Sequence, residues 1–497
     1  MAILCKINEK DNVAVAVENI AQGDVIPVNG KNIRVKDDVP AGHKIAVRDI
    51  PAGGDIVKYG FPIGTAREAI APGSWVHTHN VRSKLGNLLE YAYEPEHAER
   101  EELKSESRYE FLGYKRQDGA VGIRNEVWII PTVGCVNGIA RSIEEQAQRY
   151  KEGSIDGIYA YSHPHGCSQL GDDQLHTQKI LSGLVHSPNA GAVLVVGLGC
   201  ENNQISLLQE VIGSYDPERV KFLVCQEVED EIAAGVELVK ELCGYAGQFQ
   251  RERCDASHLT IGLKCGGSDG FSGITANPLV GEISNRLIGA GGTSILTEVP
   301  EMFGAETLLM NRSRNEKVFA KTVALINNFK SYFLRYGEKV DENPSPGNKA
   351  GGITTLEDKS LGCVQKGGRA IVEDVLEYGD RVTKKGLVLL AAPGNDLVAA
   401  NTLAAAGAQL VLFTTGRGTP FACPVPTLKI ASNSRLAEYK KNWIDFDAGP
   451  LVHGERMDEA AERFFRFILD VASGRAHAKS EALDKHELAI FKDGVTL

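Results

Sequence analysis

The sequence predicts a multidomain protein in which a small all-β N-terminal domain is followed by α/β domains built on parallel sheets. Two patterns lead to this fold class. A short turn pattern recurs between residues 20 and 73, and from residue 111 onward apolar runs alternate with helical stretches. The length of 497 residues fits roughly three domains at ~150 residues each.

The N-terminal domain is predicted over residues 1–92. Each copy of its repeat places a β-branched residue, a turn with Pro or a small residue, and then Gly before the next short strand. Pro presets φ and Gly supplies positive φ, so each copy predicts a tight turn. The stretch 93–110 is charged, shows no apolar periodicity and is predicted to be a linker. The four copies of the turn repeat in the N-terminal domain are Ile20–Gly23, Val39–Gly42, Ile50–Gly53 and Ile70–Gly73.

Two α/β domains are predicted beyond the linker, at 111–250 and 251–497, because strands that alternate with helices pair in parallel. The first has predicted strands at Glu126–Val133, Gly157–Tyr161, Ala192–Val196 and Lys221–Cys225, and helices at Ile139–Tyr150 and Glu229–Leu242. The second has predicted strands at Leu259–Leu263, Thr293–Leu296, Leu387–Ala391, Gln409–Phe413 and Thr427–Ile430, and helices at Glu316–Arg335, Ala370–Tyr378 and Met457–Ala472. The segment Asp341–Ser360 is predicted to be an ordered active-site loop.

Composition and charge exclude some classes of function. The net charge of −11 disfavours nucleic acid as a partner, because phosphate binding needs clustered Lys and Arg. The first residues lack a basic region followed by an apolar one. The longest apolar run, 190–200, is about half of a membrane span of ~20 residues. We therefore expect a cytoplasmic protein with no membrane partner, whose ten cysteines are thiols.

Cysteines follow several predicted strands, at the edge where open parallel sheets bind ligands. Cys135, Cys167 and Cys200 each have Gly as a neighbour, and Glu201 follows the third directly. Such thiolates bind iron or zinc, hold an iron–sulfur cluster or act as nucleophiles. Their long spacings match no short zinc pattern, so these alternatives stay open. A buried apolar role is the competing interpretation of each cysteine.

Two histidine pairs are candidate catalytic groups. His163 and His165 follow a predicted strand. His77 and His79 close the β domain, where residues i and i+2 of a strand face the same side. Imidazole suits general-base or metal chemistry near neutral pH. A solvated surface pair is the competing interpretation of His77 and His79.

Several basic groups are candidates for holding an anionic substrate. Arg124 and Asn125 precede a predicted strand, Lys349 lies in the Gly-rich loop, and Arg417 follows another strand. Arg presents a planar fork that matches a carboxylate. A structural salt bridge is the alternative for each of these groups.

Other residues near strand ends are secondary candidates. Glu298 and Asp269 are second-choice ligands for a hard metal, with a helix cap as the alternative. Cys265 occupies a further strand end, and Cys363 follows the long loop. The first strand–helix turn, 132–138, lacks the G-x-G-x-x-G fingerprint, which argues against a nicotinamide enzyme.

Long segments match those of one known family. They are 76–80 (VHTHN), 122–126 (GIRNE), 131–138 (PTVGCVNG), 166–173 (GCSQLGDD), 199–204 (GCENNQ), 265–270 (CGGSDG), 297–306 (TEVPEMFGAE), 343–363 and 491–497 (FKDGVTL). On these segments the chain resembles the altronate/galactarate dehydratase family, and the resemblance extends from the first strand to the last residue.

The resemblance implies a bacterial cytoplasmic hydro-lyase of hexuronate (galacturonate) catabolism with a small-molecule sugar-acid substrate. The implied reaction converts D-altronate to 2-dehydro-3-deoxy-D-gluconate and water. Fe²⁺ or Mn²⁺ is implied as cofactor, and a homodimer as the assembly. The resemblance also implies a β-clip (antifreeze-like) fold for the N-terminal domain and a variant Rossmann-like fold for the C-terminal α/β part.

Such a reaction removes the proton α to a carboxylate and expels the C3 hydroxyl, and a cation must stabilise the enediolate. We expect His163 or His165 to be the base. We expect His77 and His79 to line the side of the site that the N-terminal domain covers as a lid. Iron, or an iron–sulfur cluster, is expected at Cys135, Cys167, Cys200 and Glu201. The substrate is expected at Arg124, Asn125, Lys349 and Arg417.

Three alternatives compete with the hypothesis of an altronate-dehydrating enzyme. Galactarate or a related sugar acid is the alternative substrate, and its second carboxylate needs another cationic pocket. A non-catalytic sugar-acid sensor usually brings a DNA-binding module, against which the acidic balance argues. A nicotinamide oxidoreductase would change the absorbance of its cofactor during turnover.

Overall fold

The computed structural model describes residues 3–28, 30–86, 88–95, 103, 108–483, 485 and 487–496. Its N-terminal part consists of short antiparallel strands in three small sheets, ordered β1-β2-β5-β8, β3-β4 and β6-β7-β9. These strands are β1 (Leu4–Cys5), β2 (Val13–Ala16), β3 (Val25–Val28), β4 (Lys31–Arg34), β5 (Lys44–Ala46), β6 (Asp55–Lys58), β7 (Phe61–Ala66), β8 (Trp75–Val76) and β9 (Val81–Arg82). The predicted all-β N-terminal domain is thereby confirmed.

The repeated turns of this domain have the predicted backbone. Gly23, Gly42, Gly53 and Gly73 all have positive φ, at 93°, 83°, 73° and 88°. Isolated antiparallel bridges join Ile20 to Val39 and Ile50 to Ile70, and so pair the repeat copies with each other. Most of the predicted linker at 93–110 lies outside the described residues, and β10 begins at Glu110.

The middle region is built on a four-stranded parallel sheet of order β13-β12-β14-β15. A smaller antiparallel sheet of order β11-β10-β16 lies beside it. The strands are β10 (Glu110–Lys115), β11 (Val121–Gly122), β12 (Glu126–Pro131), β13 (Gly157–Ala160), β14 (Ala190–Gly197), β15 (Val220–Val224) and β16 (Arg251–Asp255). The helices are α1 (Asn137–Ala147), α2 (Gly171–Val185), α3 (Ile205–Ile212) and α4 (Glu231–Ala246).

Helices cover both faces of the middle sheet. Because both faces are buried, the sequences of its strands are continuous apolar runs. Val127 and Ile129 of β12 share one core cluster with residues of α1 and α4. Trp128 and Ile130 of the same strand share another with residues of α2 and α3. Successive residues of the strand thus face opposite layers.

The C-terminal region is built on a seven-stranded parallel sheet of order β19-β20-β18-β17-β21-β22-β23. Its strands are β17 (Thr260–Cys265), β18 (Thr293–Leu296), β19 (Val372–Leu376), β20 (Gly386–Leu390), β21 (Leu410–Thr415), β22 (Thr427–Ala431) and β23 (Phe446–Asp447). Its helices are α5 (Ala276–Gly289), α6 (Glu306–Met310), α7 (Glu316–Arg335), α8 (Pro346–Ala350), α9 (Leu356–Cys363), α10 (Asp396–Ala405), α11 (Ser434–Tyr439) and α12 (Met457–Ala472). The predicted parallel-sheet α/β architecture is confirmed here.

Two predictions for the C-terminal region are wrong. Residues 370–378 contain strand β19 and not a helix, because β-branched Ile371 and Val372 begin a run that pairs with β20 at the sheet edge. The segment 341–360, predicted to be a loop, contains α8 and most of α9. Side chains of Ser345 and Thr355 cap these two short helices, so local capping orders the segment.

The two parallel sheets present their carboxyl edges on the same side of the molecule. At their amino ends, Asn189 Nδ2 before β14 donates to the carbonyl of Gln409 before β21 at 2.8 Å. The last turns of α2 and α10 also meet, with Gly183 against the backbone of Ala405. Nearer the start of α2, the ring of His176 packs on Tyr378, just beyond the carboxyl end of β19, with ring centroids 4.8 Å apart. Helix α2 therefore runs from the carboxyl edges of both sheets toward their amino ends, which places the strand-end residues of both sheets on one side.

Candidate functional site

Three loops at the carboxyl edge of the middle sheet carry the predicted iron ligands. Cys135 lies just after β12, Cys167 follows β13, and Cys200 follows β14. These strands are neighbours in the sheet, so the loops 132–137, 162–169 and 198–204 are adjacent, and we call them the cysteine loops. All three cysteines are free thiols exposed to solvent. The structure thus brings the predicted thiol ligands to one edge of one sheet.

Hydrogen bonds fix the cysteine loops relative to one another. Each of three bonds joins two different loops and has an end within two residues of a cysteine. The bonds are Gly134 N to His165 O (2.9 Å), Asn203 N to Gly166 O (3.0 Å) and Ser168 N to Asn202 Oδ1 (2.7 Å). Loops held in this way can position ligands more precisely than free loops.

Glu201 shapes its loop and is not available to a metal, which corrects its prediction as a ligand. It is only 3% exposed. Oε1 accepts hydrogen bonds from the Thr132 hydroxyl (2.5 Å) and from Leu198 N (3.0 Å), and Oε2 accepts from Gly199 N (2.6 Å). Burial opposes ionisation, but these donors together hold the pKa of Glu201 below its usual value. Both carboxylate oxygens of Glu201 are therefore occupied by hydrogen bonds that stabilise the loop of Cys200.

His163 also has a structural role, which corrects its prediction as a candidate base. Its ring is buried, with Nε2 2.7 Å from the carbonyl of Pro131 and Nδ1 accepting from His165 N at 3.2 Å. Burial lowers the pKa of His163 to about 4. The neutral ring joins the loop 162–169 to the end of β12, and neither nitrogen is free to take a proton from a substrate.

His165 keeps the properties expected of a base. The side chain is half-buried, and its ring is hydrogen-bonded to the backbone of Ile490 near the C-terminus. Nδ1 lies 3.5 Å from Gln169 Nε2, at the limit of a hydrogen bond. Burial lowers the pKa of His165 from its ordinary value, so the ring is neutral at pH 7.

Arg124 and Asn125 are buried, which corrects their prediction as substrate-binding residues. Arg124 is 1% exposed, and its guanidinium donates hydrogen bonds to both carboxylate oxygens of Glu481, at 2.6 and 2.9 Å. The Asn125 side chain accepts from Arg116 and donates to the carbonyl of Ala246. Both side chains join the middle region to its surroundings, at the amino end of β12 and away from the carboxyl edge.

His77 and His79 lie in a turn and not in a strand, because β8 already ends at Val76. Asn80 closes the turn by donating from its backbone to His77 O and accepting from His77 N with Oδ1, both at 3.0 Å. The strand argument for a shared direction is therefore wrong. The rings nevertheless gather at Trp75, with centroid distances of 5.1 Å for His77 and 5.2 Å for His79.

His77 faces a cationic environment at the junction with the C-terminal region. Burial lowers its pKa to about 4, together with the charges of Lys44, His43 and His79. Nδ1 is buried and accepts or donates no hydrogen bond within the described part of the chain. A neutral imidazole with an unused buried nitrogen is suited to a polar ligand.

Lys349 and Arg417 come together at the carboxyl edge of the C-terminal sheet. Lys349 is half-buried on α8, and Arg417 is exposed after β21 with Nη1 3.4 Å from the carbonyl of Gly347 on the same helix. His43 of the N-terminal domain lies 3.3 Å from the carbonyl of Ala350. The two cations therefore border the place where the N-terminal domain meets this sheet edge.

A buried ion-pair network lies beneath that edge. Lys264 at the end of β17 pairs with Glu298 and, at 3.0 Å, with Asp396. Lys366 lies 3.5 Å from Glu298. Burial alone would lower the pKa of Lys264, but the charges of Glu298 and Asp396 raise it above its ordinary value. Glu298 holds a left-handed φ of 69°, a costly conformation for this residue that is typical of functional sites.

Neither second-choice hard-metal ligand is free. Glu298 is bound to two lysines, as described above. Asp269 Oδ1 accepts from the hydroxyls of Ser272 (2.9 Å) and Ser432 (2.8 Å), and Oδ2 accepts from Asn433 Nδ2 (3.0 Å). Burial raises the pKa of Asp269 from its ordinary value. Its contacts join the strand ends of β17 and β22.

A buried carboxylate helps to dock the N-terminal domain on the C-terminal region. Asp358 of α9 pairs with Lys44 at 2.8 Å and with Lys58 at 3.0 Å, and its side chain is fully buried. Burial alone would raise the pKa of Asp358, but the two lysines hold it well below its usual value. Lys44 also donates to the carbonyl of Gly352 at 2.6 Å.

Sequence reasoning missed most of the buried lysines. Lys264 and Lys429 stand within strands that are otherwise apolar and buried on both faces. A lone charge in such a run is the signal that would have marked them, because a buried lysine requires a partner. Lys359 and Lys366 lie in short helical segments whose sequences give no comparable signal.

Three family descriptions match consecutive parts of the chain. They are "Altronate/galactarate dehydratase SAF domain" over residues 2–84, "D-galactarate dehydratase/Altronate hydrolase, second domain" over 113–247, and "D-galactarate/Altronate dehydratase, C-terminal" over 256–496. The chain is therefore a hydro-lyase. It is a member of the altronate/galactarate dehydratase family.

Individual relatives agree with this assignment over the whole chain. The chain is 52% identical to altronate dehydratase of Escherichia coli (strain K12), covering 99% of both chains, and 52% identical to altronate dehydratase of Bacillus subtilis (strain 168), covering 100% of both. Identity with galactarate dehydratase (L-threo-forming) of Escherichia coli (strain K12) is 34%, over 99% of this chain and 97% of that one. Among the described residues, no helix has the length and apolar character to cross a membrane.

Proposed function

We propose that the protein dehydrates D-altronate to 2-dehydro-3-deoxy-D-gluconate and water. One observation carries the choice of substrate. Identity is 52% across essentially the full length with two altronate dehydratases, but 34% with a galactarate dehydratase.

His165 is the proposed base for the proton α to the substrate carboxylate. The ring is neutral at pH 7 because burial lowers its pKa, and in the described part of the chain Nδ1 has only a 3.5 Å contact with Gln169, so it can accept a proton. A hydrogen bond that the ring donates to the backbone of Ile490 orients it. Loss of the C3 hydroxyl with one proton then yields water.

Arg417 and Lys349 are proposed to hold the substrate carboxylate and hydroxyls at the rim of the C-terminal sheet. Lys349 lies on α8 and Arg417 lies beside it, and among the described residues the Arg417 guanidinium has one long contact, with Gly347 O. His77 and His79 face the site from the N-terminal domain, where the unused Nδ1 of His77 suits a substrate hydroxyl. The shared orientation of the two carboxyl edges supports grouping these residues with the cysteine loops.

Iron is the proposed cofactor, held by Cys135, Cys167 and Cys200. Thiolates are soft ligands that suit iron, whereas Mn²⁺ prefers oxygen. In the described part of the chain, these three sulfurs are not among the donor groups that lie within 4.8 Å of one another. Both a single Fe²⁺ ion and an iron–sulfur cluster are bound by such thiolates, so both forms belong to the proposal. Bound iron would supply Lewis-acid stabilisation of the developing enediolate.

Turnover of both acids tests the choice of substrate. Protein purified anaerobically and supplied with iron is assayed with D-altronate and with galactarate, following the 2-keto product. We expect kcat/KM to favour D-altronate, because galactarate brings a second carboxylate. A preference for galactarate, or no turnover of either acid, would contradict the proposal.

Replacement of one thiol tests the cofactor site. Cys167→Ser should lose most bound iron and lower kcat by at least ~100-fold, because a thiolate ligand and the orientation of the site are removed together. Cys254→Ser is the matched control, since Cys254 is a buried thiol of β16 outside the cysteine loops. Full iron content and activity in Cys167→Ser would rule out the cysteine loops as the iron site.

We propose that the reaction belongs to hexuronate catabolism in the cytoplasm. We also propose that the protein is a homodimer, and light scattering during size-exclusion chromatography tests this oligomeric state directly. The β-clip (antifreeze-like) fold of the N-terminal domain and the variant Rossmann-like fold of the C-terminal α/β part are proposed on the same resemblance.

A further inference from the structure

Residues 488–496 lie against the cysteine loop 162–169, and we call them the strap segment. An isolated antiparallel bridge pairs Thr496 with Gln169 of that loop. Ile490 is 4% exposed and belongs to a core cluster that also contains residues of α2. The strap segment is therefore packed against the middle region, although it follows the C-terminal sheet in the sequence.

Asp173 fastens the strap segment to the first turn of α2. Its Oδ1 accepts a hydrogen bond from Asp493 N at 2.8 Å, and its Oδ2 accepts from Gly494 N at 2.7 Å. The residue is only 2% exposed. Both bonds leave α2 and end on the strap segment, so this carboxylate does more than complement the positive end of its helix. The fit is close, since a Cβ placed on Gly494 would lie 2.9 Å from Asp173 Oδ2.

Aromatic residues fasten the other side of the strap segment to the C-terminal region. The Tyr378 hydroxyl accepts from Phe491 N at 2.8 Å, and the Phe491 ring packs on Tyr332 of α7 with centroids 5.5 Å apart. The Tyr336 hydroxyl lies 2.6 Å from Oδ1 of Asp493 and 2.8 Å from its carbonyl oxygen. Asp493 thus bonds the middle region through its backbone N–H and the C-terminal region through its side chain.

The strap segment controls the ring of His165, the proposed base. A neutral imidazole carries one ring proton, and His165 donates a hydrogen bond to the backbone of Ile490. The Gln169 Oε1 atom accepts from Gly166 N at 2.9 Å and from the Thr177 hydroxyl at 3.0 Å. The amide NH₂ of Gln169 therefore faces His165 Nδ1, at 3.5 Å. Together these contacts fix the ring plane and the tautomer whose lone pair is on Nδ1.

We propose that Asp173 is a positioning residue for the dehydration. It fastens the strap segment so that the backbone of Ile490 holds His165 in the orientation that leaves Nδ1 open to the substrate proton. Both oxygens of the buried carboxylate are used by the strap segment, so Asp173 acts through His165 and does not contact the substrate. This inference rests on the proposed function for the role of His165 as base, but the fastening itself is testable without turnover.

The reactivity of His165 toward diethyl pyrocarbonate tests the fastening. The reagent modifies accessible neutral imidazoles, and peptide mapping gives the rate at His165 relative to the exposed His453 of the full-length protein. Asp173→Asn places an amide NH₂ against one of the two backbone N–H groups, so we expect His165 to react at least ~5-fold faster through local opening. Asp172→Asn changes an exposed carboxylate of the same helical turn and should leave the rate unchanged.

A second variant disturbs the same contact with Asp173 intact. Gly494→Ala brings a Cβ against Asp173 Oδ2, so the strap segment must shift and His165 should again react faster. Gly244→Ala is the control, because a Cβ on this glycine of α4 meets no atom within 4 Å. A faster reaction in either variant supports the fastening, and an unchanged rate in both would overturn the proposal.

Kinetics distinguish positioning from a merely structural role. With kcat expressed per bound iron, Asp173→Asn and Gly494→Ala should lower kcat for D-altronate by at least ~10-fold and leave KM within ~2-fold, because the base is displaced and the substrate-binding cations are not. A raised KM with unchanged kcat would overturn the proposal. If the wild type does not dehydrate D-altronate, the proposed function fails, whereas the reagent assay still decides whether Asp173 fastens the strap segment at His165.

Discussion

Two arginines of this protein have different roles because one is buried and the other is exposed. Arg124 and Arg417 both stand near strand ends in the sequence, but Arg124 is enclosed with Glu481 while Arg417 is exposed beside α8. A buried guanidinium must be fully paired, and its partners then consume the donors that a substrate would need. Only the exposed one is available to bind an anion.

Arg124→Ala is expected to destabilise the protein by about 3–5 kcal/mol, because it leaves the carboxylate of Glu481 buried without its partner. Arg124 also donates to the carbonyls of Ile123 and Val471. Chemical denaturation monitored by circular dichroism measures the loss. Arg108→Ala is the control, since Arg108 is 79% exposed in its contact with Asp255. Equal stability of the two variants would refute the structural role of Arg124.

The cysteine loops show how one buried side chain orders a set of loops. His163 bonds the carbonyl of Pro131, at the end of β12, and the backbone of His165 in its own loop. These bonds require the neutral ring, because Nδ1 must accept. Since burial lowers its pKa to about 4, the folded protein resists protonation that the unfolded chain accepts near 6.5.

The order of these loops should therefore depend on pH. The unfolded chain binds more protons between about pH 6.5 and pH 4, so stability falls as pH falls through this window. From pH 7 to pH 5 the contribution of His163 is a loss of about 2 kcal/mol. Hydrogen exchange of residues 162–169, corrected for intrinsic rates, measures the opening.

His163→Gln is the matched variant, because Gln donates to Pro131 without titrating. Its loop opening should change less between pH 7 and pH 5 than that of the wild type. An identical pH response in both proteins would show that another group governs the loops.

At the scale of the whole molecule, ion pairs seat the N-terminal domain on the C-terminal sheet edge. Asp358 joins Lys44 of β5 and Lys58 of β6, and the hydroxyl of Thr355 donates to the carbonyl of Ile63 in β7 at 2.5 Å. This docking brings His43 to the carbonyl of Ala350, next to Lys349, and the ring of His77 packs on His43 with centroids 5.0 Å apart. The substrate side of the proposed site therefore depends on contacts between domains.

Asp358→Asn should loosen the docking, because two buried ammonium groups lose their counter-charge. We expect exchange of the amides in β5 and β7 to accelerate by at least ~100-fold, with α12 unchanged. KM for altronate should rise, since the N-terminal histidines are displaced. Asp55→Asn is the control, as the pair of Asp55 with Lys84 is about half exposed. Unchanged exchange in Asp358→Asn would exclude Asp358 as the docking residue.

Acid should affect the same contact in a defined direction. The pKa of Asp358 is lowered in the folded protein, so its contribution to stability is present above the ordinary carboxyl range and is lost as pH falls below it. Docking is thus expected to persist through neutral and mildly acidic pH.

Elements with a strong pattern were predictable from sequence. Helices 316–335 and 457–472 match α7 and α12 residue for residue, because amphipathic periodicity fixes long helices. Residues 370–378 were predicted wrongly, because a short β-branched run becomes a strand only when β20 offers an edge. The glycine turns of the N-terminal domain were predictable, since positive φ is a local requirement.

The sequence by itself determined the family, the parallel-sheet architecture and the strand ends that carry Cys135, Cys167 and Cys200, because these follow from local patterns and matching segments. Only the tertiary structure decided which polar groups are free. It enclosed His163, Glu201, Arg124 and Asn125, and it joined Asp173 to Asp493 and Gly494 from a distant part of the chain. Burial and pairing depend on what packs against a residue, and that information is spread over the whole fold.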